Sequence, residues 1–219
     1  MNPIPMSTFI DFCTTSGTPR VTLVRTWKRE ETEVNDFYAG FKSAIVGMHA
    51  KGLTVDSLRA FLSGQRDARR KRIYPELAQH YGEWLKRLPA TITTSGAPAR
   101  FAKSRPTPAS FGVSAKFPGV RVDPLLTMSV GPQVYLVKLY LRDAKPDAQR
   151  ISITLELMRA AYDEPGSPVF TRGVVRYAVL DVRRKKLHVS GAVVGDVEKR
   201  SRILLYGELA AFNAIYWRA

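Results

Sequence analysis

The run Val134-Tyr135-Leu136-Val137-Lys138-Leu139-Tyr140-Leu141 constrains this chain more than any other stretch. Its β-branched, aromatic and leucine side chains leave almost no polar alternation, so it reads as a strand covered on both faces. A chain built around such a strand has to supply covering layers above and below it. One residue breaks the pattern. Lys138 stands inside the run, and a desolvated ammonium is costly unless an acid or a hydrogen-bond acceptor meets it. The lysine therefore either reaches water at a strand end or belongs to a polar site. The nearest acid upstream is Asp123, in Val120-Arg121-Val122-Asp123-Pro124. An aspartate and a lysine on neighbouring strands would form the polar part of a phosphodiester-cleaving or nucleic-acid-binding centre.

The N-terminal part, residues 1–89, reads as helical. Ser7 is placed to cap a short helix through Phe9, Ile10 and Phe12. Thr18-Pro19 opens either a helix carrying Val21, Val24 and Trp27 or a strand with Val21, Leu23 and Arg25 on one side. Phe37, Phe41, Ile45 and Met48 recur at helical spacing over 35–51, with Gly52 as the stop, and Thr54 caps a helix from Val55 to Leu62. Past the basic run Arg66 to Arg72, Pro75 is expected to begin a helix carrying Leu77, Tyr81, Trp84, Leu85 and Leu88. Residues 90–118 turn to Pro, Ala, Ser, Thr and Gly with basic residues and no acid, which marks a linker or loop.

Residues 119–219 read as an α/β core. Arg121 to Val130 and Gln133 to Leu141 are expected to form a hairpin across Gly131-Pro132. Asp147 caps a helix through Ile151, Leu155, Met158 and Tyr162, which Pro165-Gly166 ends. Val174 to Val182 is a strand, followed by the basic turn Arg183 to Lys186 and a short strand Leu187 to Val189. A closing helix from about Ser201 carries Leu205, Leu209, Phe212 and Tyr216 on one face.

With 219 residues and 45% hydrophobic content the chain can bury a sizeable core in one domain or two small ones. The formal charge of +15 exceeds what solubility requires and favours an anionic partner, nucleic acid before a membrane surface. Cys13 is the only cysteine, which excludes an intrachain disulfide framework and fits a reducing cytoplasm. No run is long and apolar enough to span a bilayer. His49, His80 and His188 lack metal-ligand spacing, and no phosphate loop, dinucleotide fingerprint or nucleophile motif is present. Trp27, Trp84 and Trp217 are expected to be packing residues.

The order helix, strand hairpin, helix, strand between Pro75 and Val189 resembles the core of the PD-(D/E)XK, or restriction-endonuclease-like, superfamily. The resemblance implies an α/β (α+β) fold in which a mixed sheet is flanked by helices and preceded by the helical N-terminal part. In that family an aspartate lies near the start of one strand, and a second acid followed two residues later by a lysine lies on the next. Asp123-Pro124 matches the first element and Lys138 the lysine. Leu136 stands where the second acid would be, so the implied centre is degenerate. Asp123 would be a ligand to magnesium or manganese only if another acid substituted, from Glu76, Glu83, Glu156 or Asp181. Asp181 has a second reading, as the ion-pair partner of Lys138.

Three functional expectations follow. The first is a nucleic-acid-binding protein with an inactive nuclease-like core and no cofactor, in which Arg69, Arg70, Lys71, Arg72, Arg183, Arg184, Lys185 and Lys186 contact phosphates. The second is a metal-dependent nuclease with Asp123, Lys138 and Asp181 at its centre. The third is an interaction protein whose charge serves an acidic partner. A homo-oligomer is compatible with each.

Overall fold

The computed structural model describes residues 2–29, 36–92, 98–114, 119–163, 174–190 and 196–218. The apolar run forms the middle of a five-stranded sheet. Its strands are β2 (Ala99–Phe101), β5 (Leu126–Val130), β6 (Gln133–Tyr140), β7 (Val174–Asp181) and β8 (Lys186–Val189), in the spatial order β2-β5-β6-β7-β8. The hairpin across Gly131-Pro132 pairs β5 with β6 antiparallel, Val130 opposite Gln133. β6 and β7 run parallel, as a crossover through helix α6 (Ala148–Tyr162) requires. β2 and β8 close the two edges antiparallel.

Both faces of this sheet are covered, and the strand period of two separates β6 into two sets. Tyr135, Val137 and Leu139 pack with Phe41, Leu62, Tyr74, Tyr81 and Trp84. These come from α3 (Ala39–Lys51), α4 (Val55–Ser63) and α5 (Ala68–Ile92). Leu136 faces the other way, into a core with Phe9, Phe12, Met158 and Phe212. That second layer holds α1 (Met6–Cys13), α2 (Thr18–Arg29), α6 and α7 (Asp196–Arg218). It also holds a small sheet ordered β1-β4-β3, made of β1 (Ile4–Pro5), β4 (Val120–Val122) and β3 (Ala109–Phe111). The architecture is α/β (α+β), and residues before and after the segment 90–118 share both cores.

Local signals explain most element ends. Gly52 ends α3 at φ 63°, a left-handed conformation that glycine adopts without steric cost. Thr54 accepts a hydrogen bond from the Ser57 amide at the start of α4. Asp147 does the same for the Arg150 amide at α6, so the helical reading of that segment holds. Of the two readings of the segment after Thr18, the chain takes the helix, burying Val24 and Trp27. Leu205, Leu209, Phe212 and Tyr216 are the buried face of α7, which begins at Asp196. The expected starts and stops at Asn35 and Pro165-Gly166 lie outside the described residues.

Five expectations are corrected. Ser7 does not cap α1, because the helix already starts at Met6, with Pro5 at the cap position and no side-chain cap. α5 starts at Ala68 and runs through Pro75 rather than from it, because Asp67 caps the earlier turn through its carboxylate on the Arg70 amide. Ile73 and Tyr74 are buried there, which draws the basic run into helix. Arg121 to Val130 is not one strand. Proline cannot donate to a ladder, and at Asp123-Pro124 the chain leaves β4 in the small sheet and enters β5 in the large one. The segment 90–118 is not wholly loop, since β2 and β3 lie in it. Trp217 is 63% exposed rather than packed.

Candidate functional site

Lys138 follows Leu136 on the face of β6 that carries α1 and α6, next to Val179 of β7. Its ammonium donates to Asp123 Oδ1 at 2.5 Å and to the Asp123 carbonyl at 3.1 Å. Asp123 is held within reach because the Leu125 amide bonds Val137 O at 2.8 Å, extending the hairpin register beyond β5 to the sheet switch. The pair is asymmetric: 16% of the lysine side chain and 49% of the aspartate side chain are exposed. Burial pulls the ammonium below the usual lysine range, and Asp123 opposes that shift by charge and by hydrogen bond.

A second ion pair adjoins the first. Lys42, on α3, donates to Asp36 Oδ2 at 2.6 Å, while Asp36 Oδ1 accepts from the Tyr38 amide at 2.9 Å. Both act on the Lys138 ammonium through their charge, Lys42 lowering its proton affinity further and Asp36 raising it.

Asp36, Lys42, Asp123 and Lys138 form a wall shared by two cavities. The smaller, about 200 Å³, is also lined by Arg105 and Arg121. Arg105 is anchored to Ser43 Oγ at 2.9 Å, and Arg121 projects outward from β4. The larger, about 430 Å³, is lined by Tyr38, Tyr140, Arg142 and Arg150. Asp11 of α1 orients that side. Its carboxylate accepts two bonds from Arg142, at 3.0 and 2.7 Å, and one from Arg150 at 2.6 Å. The bond to Asp11 holds the Arg142 guanidinium above its usual range. Six cations therefore line the two cavities: Lys42, Lys138, Arg142 and Arg150 are paired with Asp36, Asp123 and Asp11, and Arg105 and Arg121 have no carboxylate partner among the described residues.

The other residues singled out in the sequence are placed differently. Asp181 does not pair with Lys138. It stands opposite Tyr140 in the β6–β7 register, and Arg184 reaches its carboxylate from the following turn at 3.2 Å. Arg183 pairs with Glu76 at 3.0 Å and Asp143 at 2.8 Å, and Lys185 pairs with Glu83 at 2.5 Å. The hydrogen bond from Lys185 lowers the Glu83 pKa. Three of the four residues in the basic turn are thus engaged by carboxylates of the fold, while Lys186 is exposed on β8. At the other cluster, Arg69 and Arg70 lie over the Phe37 ring, at 4.9 and 5.6 Å from its centroid, and Lys71 and Arg72 are exposed.

The donor set does not fit magnesium. Leu136 is fully buried in the core where the family pattern has its second acid. Glu76, Glu83 and Asp181 pair with the basic turn, and Glu156 pairs with Arg159. Among the described residues no group of three or more acidic, histidine or cysteine side chains could hold a metal ion. Asp36 is the acid that sequence reasoning missed. It lies just before α3 and meets β6 across the fold, and no local spacing signals it. Neither protein-family models nor curated proteins gave a match to this chain.

Proposed function

We propose that this protein binds nucleic acid through the cationic double cavity around Asp123 and Lys138, and that its core is a degenerate restriction-endonuclease-like domain that does not cleave. The single observation carrying the reading is the convergence of Lys42, Arg105, Arg121, Lys138, Arg142 and Arg150 on two adjoining cavities. Low-dielectric walls focus the field of such a cluster, and a polyanion with regularly spaced phosphates is the ligand that uses it best. The chain's charge of +15 supplies long-range attraction. Support for the family resemblance comes from the succession α5, β5–β6 hairpin, α6 and β7, with Asp123 at the entrance to the hairpin and Lys138 on its second strand. In this reading the Asp123–Lys138 pair is a phosphate-contacting polar centre. Arg69, Lys71 and Arg72, exposed at the start of α5, add backbone contacts, as does Lys186.

The test is fluorescence anisotropy with labelled DNA and RNA across a salt series. Each phosphate neutralised contributes a slope of about −0.7 to −0.9 in log affinity against log salt, so a site using several of these cations loses affinity steeply. Affinity independent of salt, or displacement by an acidic polypeptide but not by DNA or RNA, would replace the reading with a protein-partner one. Magnesium-dependent cleavage by the wild type that Asp123→Ala abolishes would replace it with a nuclease.

A further inference from the structure

We infer that the ligand of the double cavity is a single strand, which crosses the Asp123–Lys138 wall with a backbone phosphate in the smaller cavity and a base in the larger. The inference rests on the nucleic-acid reading above and adds the form of nucleic acid taken. It comes from the unequal furnishing of the two cavities. The smaller holds Arg105 and Arg121, neither of which forms an ion pair among the described residues, and encloses about 200 Å³. That combination suits one phosphate and its sugar. The larger has a volume of about 430 Å³ and carries the rings of Tyr38 and Tyr140 beside Arg142 and Arg150. That combination suits a base stacked on an aromatic face with a neighbouring phosphate held by guanidinium groups.

Geometry separates a single strand from a duplex. In a duplex the bases are stacked and paired inside, and only the outer edge of the backbone can approach a concave surface. A base enters a concave recess face-on only if it is unpaired or extruded, and extrusion costs a few kcal/mol in a duplex while a single strand already presents its bases. The two cavities meet along the wall of Asp36, Lys42, Asp123 and Lys138, so one strand can occupy both without leaving the protein surface. The acids on this wall have a part in the same arrangement. Asp36 and Asp123 hold the two ammonium groups in place, and Asp11 holds Arg142 and Arg150. The cations are thereby oriented before the ligand arrives, which reduces the ordering cost of binding.

The experiment compares oligo(dT) and oligo(rU) of about twelve nucleotides with a duplex of similar length at one fixed salt concentration, using the full chain. The single strands should bind at least about tenfold more tightly than the duplex. The double variant Arg105→Ala/Arg121→Ala should weaken single-strand binding by at least about tenfold while changing duplex binding far less. Tyr38→Ala should weaken it about fivefold or more for every base type, since stacking is sequence-tolerant. A Lys71→Ala/Arg72→Ala variant, on α5, should reduce single-strand and duplex binding by similar factors. Circular dichroism melts of each variant report that the fold is retained, and an unfolded Tyr38→Ala leaves the arginine variant to decide. Duplex binding as tight as single-strand binding, or cavity variants that leave single-strand affinity unchanged, overturns the inference while the nucleic-acid reading stands. Absence of binding to any nucleic acid at low salt overturns both.

Discussion

Removing either member of the Asp123–Lys138 pair should have unequal consequences, because the two ends of the pair sit in different surroundings. In Asp123→Ala the ammonium keeps the carbonyl of residue 123 at 3.1 Å but loses the carboxylate it bonds, with 16% of its side chain in water. Stranding a largely desolvated charge costs about 3–5 kcal/mol at a fully buried site, and the remaining acceptor and partial exposure reduce this to about 1–3 kcal/mol here. In Lys138→Met the released carboxylate is 49% exposed and returns to water, while the methionine fills the aliphatic track of the lysine, so the change should stay within about 1 kcal/mol. The pH dependence gives a second readout. The folded Lys138 pKa lies below its unfolded value, so the native state gives up its proton first and stability rises with pH through that window. Asp123 is what opposes the downward shift. Removing it widens the window, and the deficit of Asp123→Ala must therefore shrink as pH climbs toward about 10, by about 1.4 kcal/mol for each unit of extra shift. Urea unfolding midpoints at neutral pH and at about pH 9.5, with unchanged m-values, measure this directly. Equal losses for the two variants, or an Asp123→Ala deficit that does not change with pH, would refute the reasoning.

His49 bonds Tyr81 Oη at 2.6 Å and stacks on Phe101 at 4.0 Å, and burial lowers its pKa to about 4. Its contribution to stability is therefore complete above about pH 6.5 and lost as pH falls toward 4. His49→Gln should flatten the acid limb of a melting-temperature profile, and an unchanged slope would show that the loss arises elsewhere. Leu136→Asp, which puts an acid two residues before Lys138, should destabilise the fold by about 4 kcal/mol or more, because that side chain is fully buried among apolar neighbours. A chemical denaturation curve close to wild type would mean that the position opens onto the cavity. A Cβ at Gly82 would lie 2.6 Å from Val55 Cγ1, where α5 meets α4, so Gly82→Ala should cost about 1–3 kcal/mol in urea unfolding despite its better helix propensity. Adding Val55→Ala should recover part of that loss, and strictly additive losses would place the strain elsewhere.

The features of this fold that can be read along the chain follow from short-range periods and local hydrogen bonding. The apolar run of β6 demanded two covering layers and has them. Thr54 and Asp147 announced the starts of α4 and α6, Gly52 the end of α3, and the spacing of Leu205, Leu209, Phe212 and Tyr216 the buried face of α7. Each of these signals lies within a few residues of its effect. The Asp123–Lys138 pair was legible for a similar reason, since the two residues flank one hairpin whose register brings them together. The meetings of the other charges are set by packing between elements distant along the chain. Arg183 finds Glu76, Arg142 and Arg150 find Asp11, and Lys42 of α3, with Asp36 just before that helix, comes to the lysine on β6. Ion pairing depends on separations of a few ångströms through space, whereas residue patterns report neighbours along the chain. The same limit explains the basic turn Arg183 to Lys185. As a run of cations it reads as a surface for phosphate, and folding places the acids of α5, of the β6–α6 connection and of the end of β7 against it.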